Sequence, residues 1–259
     1  MNENVLYEIQ DGIGRITFNR PEARNAFTLA MYERLYEIVQ EAEKDSSVRV
    51  LVLTGAGDQA FAAGTDISEF RSFSTAEDAL DYERRMDRVL GTLERSTVPT
   101  IAAISGACTG GGATIAACCD IRIGTLNTRF GLPIARTLGN CLSMANYVRL
   151  AALIGPARLK DIVFTARLMD AKEAHAIGLL SEVLPDYASL QIRVGELART
   201  VAAHAPLTLR VTKEALRLIQ EKMTPEEDPK MILTCYMSRD FREGMDAFLN
   251  KRTPNWQGQ

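Results

Sequence analysis

PTIAAISGACTGGGATIAACCDIRI, residues 99–123, is the stretch on which the fold turns. It lies within a longer uncharged run, Ser96 to Cys119, whose 24 residues are enough to cross a bilayer. A lipid-facing helix would present a denser apolar surface than this one. The run is broken by Pro99, Gly106, Gly110, Gly111 and Gly112, with Ser and Thr scattered between them. The better reading is a buried strand over TIAAI (100–104), a glycine-rich turn, and a buried helix starting near Gly111. DIRIGT (120–125) then supplies the next strand. Strand, helix and strand in succession imply a sheet covered by helices, which is the α/β class.

Working outward, VLYEIQ and GRITFNR flank Asp11-Gly12, a dipeptide suited to a tight hairpin. Thr28 opens a helix with Met31, Leu35, Ile38 and Ala42 on one face. VRVLVLTG (48–55) is a β-branched apolar run, as expected of a strand buried on both faces. GAGDQAFAAGTDISEF (55–70) reads as a loop. Ser74 with Glu77 makes a capping box for a helix running to about Arg95. From Ser143 onward the pattern is mostly helical, with one extended stretch near GLLSEVL (178–184). Asp170 with Glu173 and Thr224 with Glu227 mark further helix starts. The expected division is a core over residues 1–200 and a C-terminal helical region over 201–259.

Composition narrows the function. The 259 residues are 46% hydrophobic and 24% charged, ordinary for a globular chain. Thirty Lys+Arg against 33 Asp+Glu give a formal net charge of -3. That balance offers no basic excess for nucleic acid, although a local basic pocket for a phosphorylated ligand stays allowed. Five cysteines, Cys108, Cys118, Cys119, Cys141 and Cys235, form no C-x-x-C pair, so buried reduced thiols and a reducing cytoplasm are expected. The N-terminal MNENVLYEIQDG has no apolar run of signal-peptide length. His175 and His204 are the only histidines, with no G-x-S-x-G elbow and no H-E-x-x-H. Neither a serine triad nor a metal site is expected.

Gly55-Ala56-Gly57 follows a strand, but no further glycine completes a dinucleotide-binding fingerprint. The triplet Gly110–Gly112 opens an uncharged helix. Three glycines there either leave backbone N–H groups bare for a negative oxygen or let the helix pack closely on a strand. The sequence alone supports the two equally. The Ala-Ala-Gly run in FAAGTDI (61–67) is small enough for a ligand to approach a second amide. Two such amides, if they converge, form an oxyanion hole.

Five ordered motifs then carry a resemblance. NRPEARNAF (19–27), AFAAGTDISEF (60–70), the stretch 99–123, FGLP (130–133) and the tail EGMDAFLNKRTPNW (243–256) together resemble the enoyl-CoA hydratase/isomerase (crotonase) family. The resemblance implies a spiral of ββα units with a C-terminal helical region that builds trimers, often paired into hexamers. It implies an acyl-CoA thioester as substrate, with coenzyme A part of the substrate and no prosthetic group or metal. By motif position the thioester carbonyl sits between the amides of Thr65 and Gly111. Ala63, Thr65, Asp66, Ile67 and Ser68 then line the CoA path, and Ala23 and Arg24 border it. Phe248 and Lys251 match tail positions that reach CoA, in some members from a neighbouring subunit.

The departures bear on the chemistry. Hydratases of this family carry one glutamate in a GGG-x-E pattern and a second just after F-G-x-P. Here those positions are Thr114 and Ile134. The loop ARTLGNCLSMAN (135–146) also departs from the usual proline- and glycine-rich segment. Arg136, Asn140, Cys141 and Ser143 are the remaining candidates near the acyl group, while Asp66 and Glu69 match structural positions. The leading expectation is an acyl-CoA enzyme of hydratase or isomerase type with a rearranged acid–base set. Alternatives are decarboxylation with Arg136 holding the substrate carboxylate, thioester hydrolysis, and a non-catalytic acyl-CoA-binding homologue.

Overall fold

Residues 4–226 and 228–259 are described by the computed structural model. β1 (Val5–Gln10) and β2 (Ile13–Phe18) pair antiparallel, and Asp11 and Gly12 turn between them with φ of 52° and 79°. Both central residues are left-handed, the geometry that matches strand twist in a two-residue hairpin. α1 (Leu29–Lys44) starts where Thr28 accepts a hydrogen bond from the Met31 amide.

The chain then repeats one unit three times. β3 (Val50–Gly55), β4 (Ala60–Ala62) and α2 (Ala76–Arg95) form the first. β5 (Thr100–Ile104), β6 (Ala107–Thr109) and α3 (Gly111–Cys118) form the second. β7 (Ile121–Thr125), β8 (Arg129–Gly131) and α4 (Ile134–Thr137) form the third. The first strand of each unit enters one sheet and the second strand enters another, which is the ββα spiral that the family resemblance implied. α5 (Met144–Ile154), α6 (Pro156–Phe164), β9 (Met169–Asp170), α7 (Ala171–Ala176), β10 (Glu182–Leu184) and α8 (Tyr187–Ala203) follow. The six-stranded sheet has the order β1-β2-β3-β5-β7-β10, and the four-stranded sheet has the order β4-β6-β8-β9.

Alternation along the central strands explains their burial. Leu51, Leu53, Ala102 and Ile104 face one core with α1, α2 and α3, while Val50, Val52, Ile101 and Ala103 face another with Leu190, Val194 and Ala198 of α8. With both faces covered, the strands need no polar side, so their sequences are continuous apolar runs. Truncating a fully buried side chain such as Leu53 to alanine would cost about 2–5 kcal/mol.

Several local expectations change. The segment expected as one loop over 55–70 contains β4 and a 3-10 turn, Ile67–Ser72. The capping box of α2 is Thr75 with Asp78, one residue beyond Ser74 and Glu77, and the Ser74 amide also donates to Asp78. Asp170 caps α7 as expected. Thr224 instead closes α9 (Pro206–Met223), and Asp228 caps α10 (Pro229–Tyr236). Glu227 lies outside the described residues. The division expected at residue 200 falls within the last turn of α8, which packs on the large sheet.

The C-terminal helices part ways. α10 and α11 (Arg239–Leu249) return to their own chain, where Ile232, Tyr236 and Phe241 pack with Ile67, Phe70, Ala79 and Leu138. α9 buries none of its residues and leaves Leu216, Ile219 and Met223 at least 60% exposed. Among the described residues no helix is long and apolar enough to cross a membrane.

Candidate active site

A cleft of about 690 Å³ opens between the two sheets' connections, α2 and the C-terminal helices. Its floor is made by the two loops singled out in the sequence. The Gly64 Cα lies 3.4 Å from where a Cβ of residue 110 would stand, so the loops after β4 and β6 touch through glycine. Gly64 and Gly110 have φ of 101° and 52°, left-handed values that a side chain would strain.

The glycine triplet divides its labour. A Cβ at residue 112 would stand 2.2 Å from the Ala62 carbonyl oxygen, so Gly112 serves close packing of α3 on β4. Gly111 lines the cleft, at the first position of α3. First-turn helical amides have no intrahelical acceptor. Neither the Gly111 amide nor the Thr65 amide has an acceptor among the described residues. Two bare donors therefore sit on the two touching loops that line the cleft, and at Gly111 the helix dipole also favours negative charge. Arg122 fixes the other end of α3, donating to the carbonyls of Ala116 and Cys119.

A part-buried hydroxyl chain frames the donors. Tyr32 and Tyr82 each hydrogen-bond the Thr65 Oγ1, at 2.9 and 3.0 Å. Burial pushes the Tyr32 phenol up to about 12, with the Glu83 charge adding to it, and burial likewise raises Tyr82. Both stay neutral near neutral pH.

Ala23, Arg24, Ala63, Thr65, Asp66, Ile67, Gly111, Thr114, Ile134, Phe248 and Lys251 all line this cleft. Phe248 and Lys251 do so from the same chain. The Thr114 hydroxyl donates to the Gly111 carbonyl at 2.8 Å, so its proton is already committed. Ile134 is 7% exposed and makes that wall apolar. Asp66 accepts from Ser68 and from Arg20; burial acts to raise its pKa, but these bonds outweigh it and hold the carboxyl below its usual range.

Two expected residues stand elsewhere. Arg136 is exposed and does not line the cleft, because the turn of α4 that points Ile134 inward points it out. Ser68 is exposed beside the cleft, where it bonds Asp66. Asn140 and Cys141 do line the wall, whereas Ser143 is buried behind it, capping α5 and bonding Asp87. The Cys141 thiol hydrogen-bonds Cys235 and brings the latter down to about 7 against burial; these two thiols are half-buried, whereas Cys108, Cys118 and Cys119 are buried. His175 bonds the Leu180 carbonyl and His204 ends α8; neither lines the cleft. Among the described residues no cluster of His, Cys, Asp and Glu could hold a metal ion.

One residue went unread in the sequence. Glu83 lies in the apolar stripe of α2, between Ala79 and Met86, is 8% exposed and lines the cleft. An acid inside the 3.6-residue apolar period of a helix is the signal that marks it.

Known proteins place this arrangement. A model of the enoyl-CoA hydratase/isomerase family matches residues 8–259. The short-chain-enoyl-CoA hydratase of Clostridium acetobutylicum is 34% identical over 255 residues, covering 96% of this chain and 95% of that protein. The crotonyl-CoA hydratase of Syntrophomonas wolfei is 32% identical over 260 residues, 98% of each. Among solved structures, an enoyl-CoA hydratase/carnithine racemase from Magnetospirillum magneticum aligns with TM-score 0.81 and 33% identity over 100% of this chain and 97% of the other. A methylmalonyl-CoA decarboxylase in complex with 2-nitronate-propionyl-CoA aligns with TM-score 0.90 and 27% identity over 99% of each.

Proposed function

The chain belongs to the enoyl-CoA hydratase/isomerase family and acts on acyl-CoA, and from that premise we propose that its cleft stabilises a thioester enolate at the amides of Thr65 and Gly111. The observation that carries this reading is the presence of two acceptorless amides on the touching loops that line the cleft. Charge that develops on the thioester oxygen as C2 loses a proton would be met by donors already in place. Each such donor is worth about 10²–10³-fold in rate.

The remaining contacts fall to the CoA moiety. Ala23, Arg24, Ala63, Asp66 and Ile67 border its path, with Arg24 and Lys251 as the exposed cations that meet its phosphates, and Phe248 beside them. Thr114 and Ile134 stand where hydratases of the family carry glutamates, so activation of water is the weak part of this site. A committed hydroxyl and an alkyl side chain are both poor bases. Hydration of crotonyl-CoA is expected to be slow, and Thr114→Glu with Ile134→Glu is expected to raise it by at least about 10²-fold. Steady-state kinetics on both proteins test this, and vigorous wild-type hydration would overturn it.

The decarboxylase neighbour supports a second reading, loss of carbon dioxide at the same amides. It fits the side chains less well. Arg136, the cation considered for the substrate carboxylate, stands outside the cleft, and Glu83 inside it would repel that carboxylate.

The exposed apolar face of α9 supports assembly of copies of this chain into a trimer or hexamer. Leu216, Ile219 and Met223 would be covered there.

A further inference from the structure

We infer that Glu83, reaching the cleft from α2, is the carboxylate that moves the proton at C2 of the bound acyl thioester. The inference rests on the acyl-CoA reading above and names the base that reading leaves unassigned.

Among the described residues three carboxylates line the cleft: Glu22, Asp66 and Glu83. Glu22 is exposed at the mouth, and Asp66 is occupied in capping the 3-10 turn and pairing with Arg20 at 3.1 Å. Glu83 alone is buried. A carboxylate placed in an apolar stripe costs free energy unless something holds it. Here the Tyr236 hydroxyl donates to Glu83 Oε1 at 2.6 Å. The Asn140 amide donates in turn to the Tyr236 oxygen at 3.4 Å, which directs the tyrosine proton toward the carboxylate. Burial raises Tyr236, so this donor does not ionise.

Glu83 also lines the same cleft as the amide pair. Its neighbour Tyr82 bonds Thr65, and its charge reaches Tyr32, which bonds the same hydroxyl. Met86 and Leu90, one and two turns further along α2, line the same cleft and keep it apolar. Asn140, which lines the same cleft, also carries a buried side-chain carbonyl oxygen with no hydrogen-bond partner.

The step balances without a co-reactant. The C2–H bond breaks, its proton goes to the Glu83 carboxylate, and the electron pair moves to the thioester oxygen between Thr65 and Gly111. Return of a proton from the carboxylic acid to C2 regenerates the thioester. In D₂O the returning proton is replaced by deuterium.

Deuterium incorporation at C2 of butyryl-CoA, followed by NMR, tests the assignment alongside butyryl-CoA binding by calorimetry. The wild-type protein is expected to exchange. Glu83→Gln is expected to lose about 10²–10⁴-fold in exchange while binding the thioester within a few fold. Glu83→Asp keeps the charge but withdraws it by one methylene, and is expected to fall about 10²-fold, since a 1 Å displacement is enough for that loss. Exchange at the wild-type rate in a folded Glu83→Gln or Glu83→Asp protein overturns the assignment and leaves the acyl-CoA reading standing. So does a wild-type protein that binds without exchange. Absence of butyryl-CoA binding by the wild-type protein overturns the acyl-CoA reading itself.

Discussion

Replacing Gly111 by alanine probes the floor of the cleft through one atom. The new Cβ would stand 2.1 Å from the Tyr32 hydroxyl oxygen and 3.2 Å from the Thr65 Oγ1. The first distance falls short of contact by about 1 Å or more. Tyr32 is 1% exposed and tied to Thr65, so it has little room to yield. The methyl therefore displaces the first turn of α3, and with it the Gly111 amide. Losing one preorganised donor costs about 10²–10³-fold, or about 2.7–4 kcal/mol in the barrier. Overpacking would lower stability by about 1–3 kcal/mol, offset in part by the helix preference of alanine over glycine, about 1 kcal/mol. The Tyr32 Cζ lies 3.4 Å from the same Cβ, an ordinary contact. Removing only the hydroxyl, with Tyr32→Phe, should thus make room. Exchange at C2 of butyryl-CoA is expected to fall about 10²–10³-fold in Gly111→Ala and to return in Gly111→Ala/Tyr32→Phe to within about tenfold of Tyr32→Phe alone. A folded Gly111→Ala protein with full activity would refute the reasoning, as would a double variant no better than the single one.

Two further outcomes concern stability and assembly. Arg149, 4% exposed on its side chain, pairs with both oxygens of Glu94 at 2.8 and 2.7 Å, and Arg149→Met is expected to lower the unfolding free energy by about 3 kcal/mol, read by urea denaturation. Burial alone would raise the Glu94 pKa, but Arg149, helped by Gln220 and Arg95, more than reverses it, so this stabilisation is present above the unfolded value of about 4.3 and fades as pH falls below it; the gap between wild type and variant should be larger at pH 7 than at pH 3.5. On α9, Leu216→Glu with Ile219→Glu should convert a trimer or hexamer to monomers, and light scattering that finds wild-type monomer at micromolar concentration contradicts that assembly.

The long elements were legible because their periods were long enough to read. Six residues of VLVLTG and five of TIAAI suffice for a buried strand, and the 20 residues of α2 suffice for an amphipathic helix. β4, β6 and β8 have three residues each, too few for any period, so the second sheet was invisible. The α2 cap slipped by one residue because Ser74-Thr75 and Glu77-Asp78 offer the same box in two registers; the structure uses the second. At the site, the glycine triplet announced bare amides but not that the two loops touch, which depends on Gly64 and Gly110 meeting. Arg136 was misplaced by proximity in sequence: two residues along a helical turn separate an inward Ile134 from an outward arginine. Glu83 escaped because motif comparison looks where the family keeps its acids, whereas its signal was a charge within an apolar stripe.

Most direct is a measurement on the thioester carbonyl itself. Difference infrared spectra of butyryl-CoA, with and without ¹³C at the thioester carbonyl, isolate that one stretch in the bound state. Two backbone donors at Thr65 and Gly111 should lengthen the C=O bond and move the stretch to lower frequency than in water, and Gly111→Ala should reverse most of the displacement. A bound carbonyl that absorbs where it does in free solution, in a protein that still binds the thioester, would contradict the account.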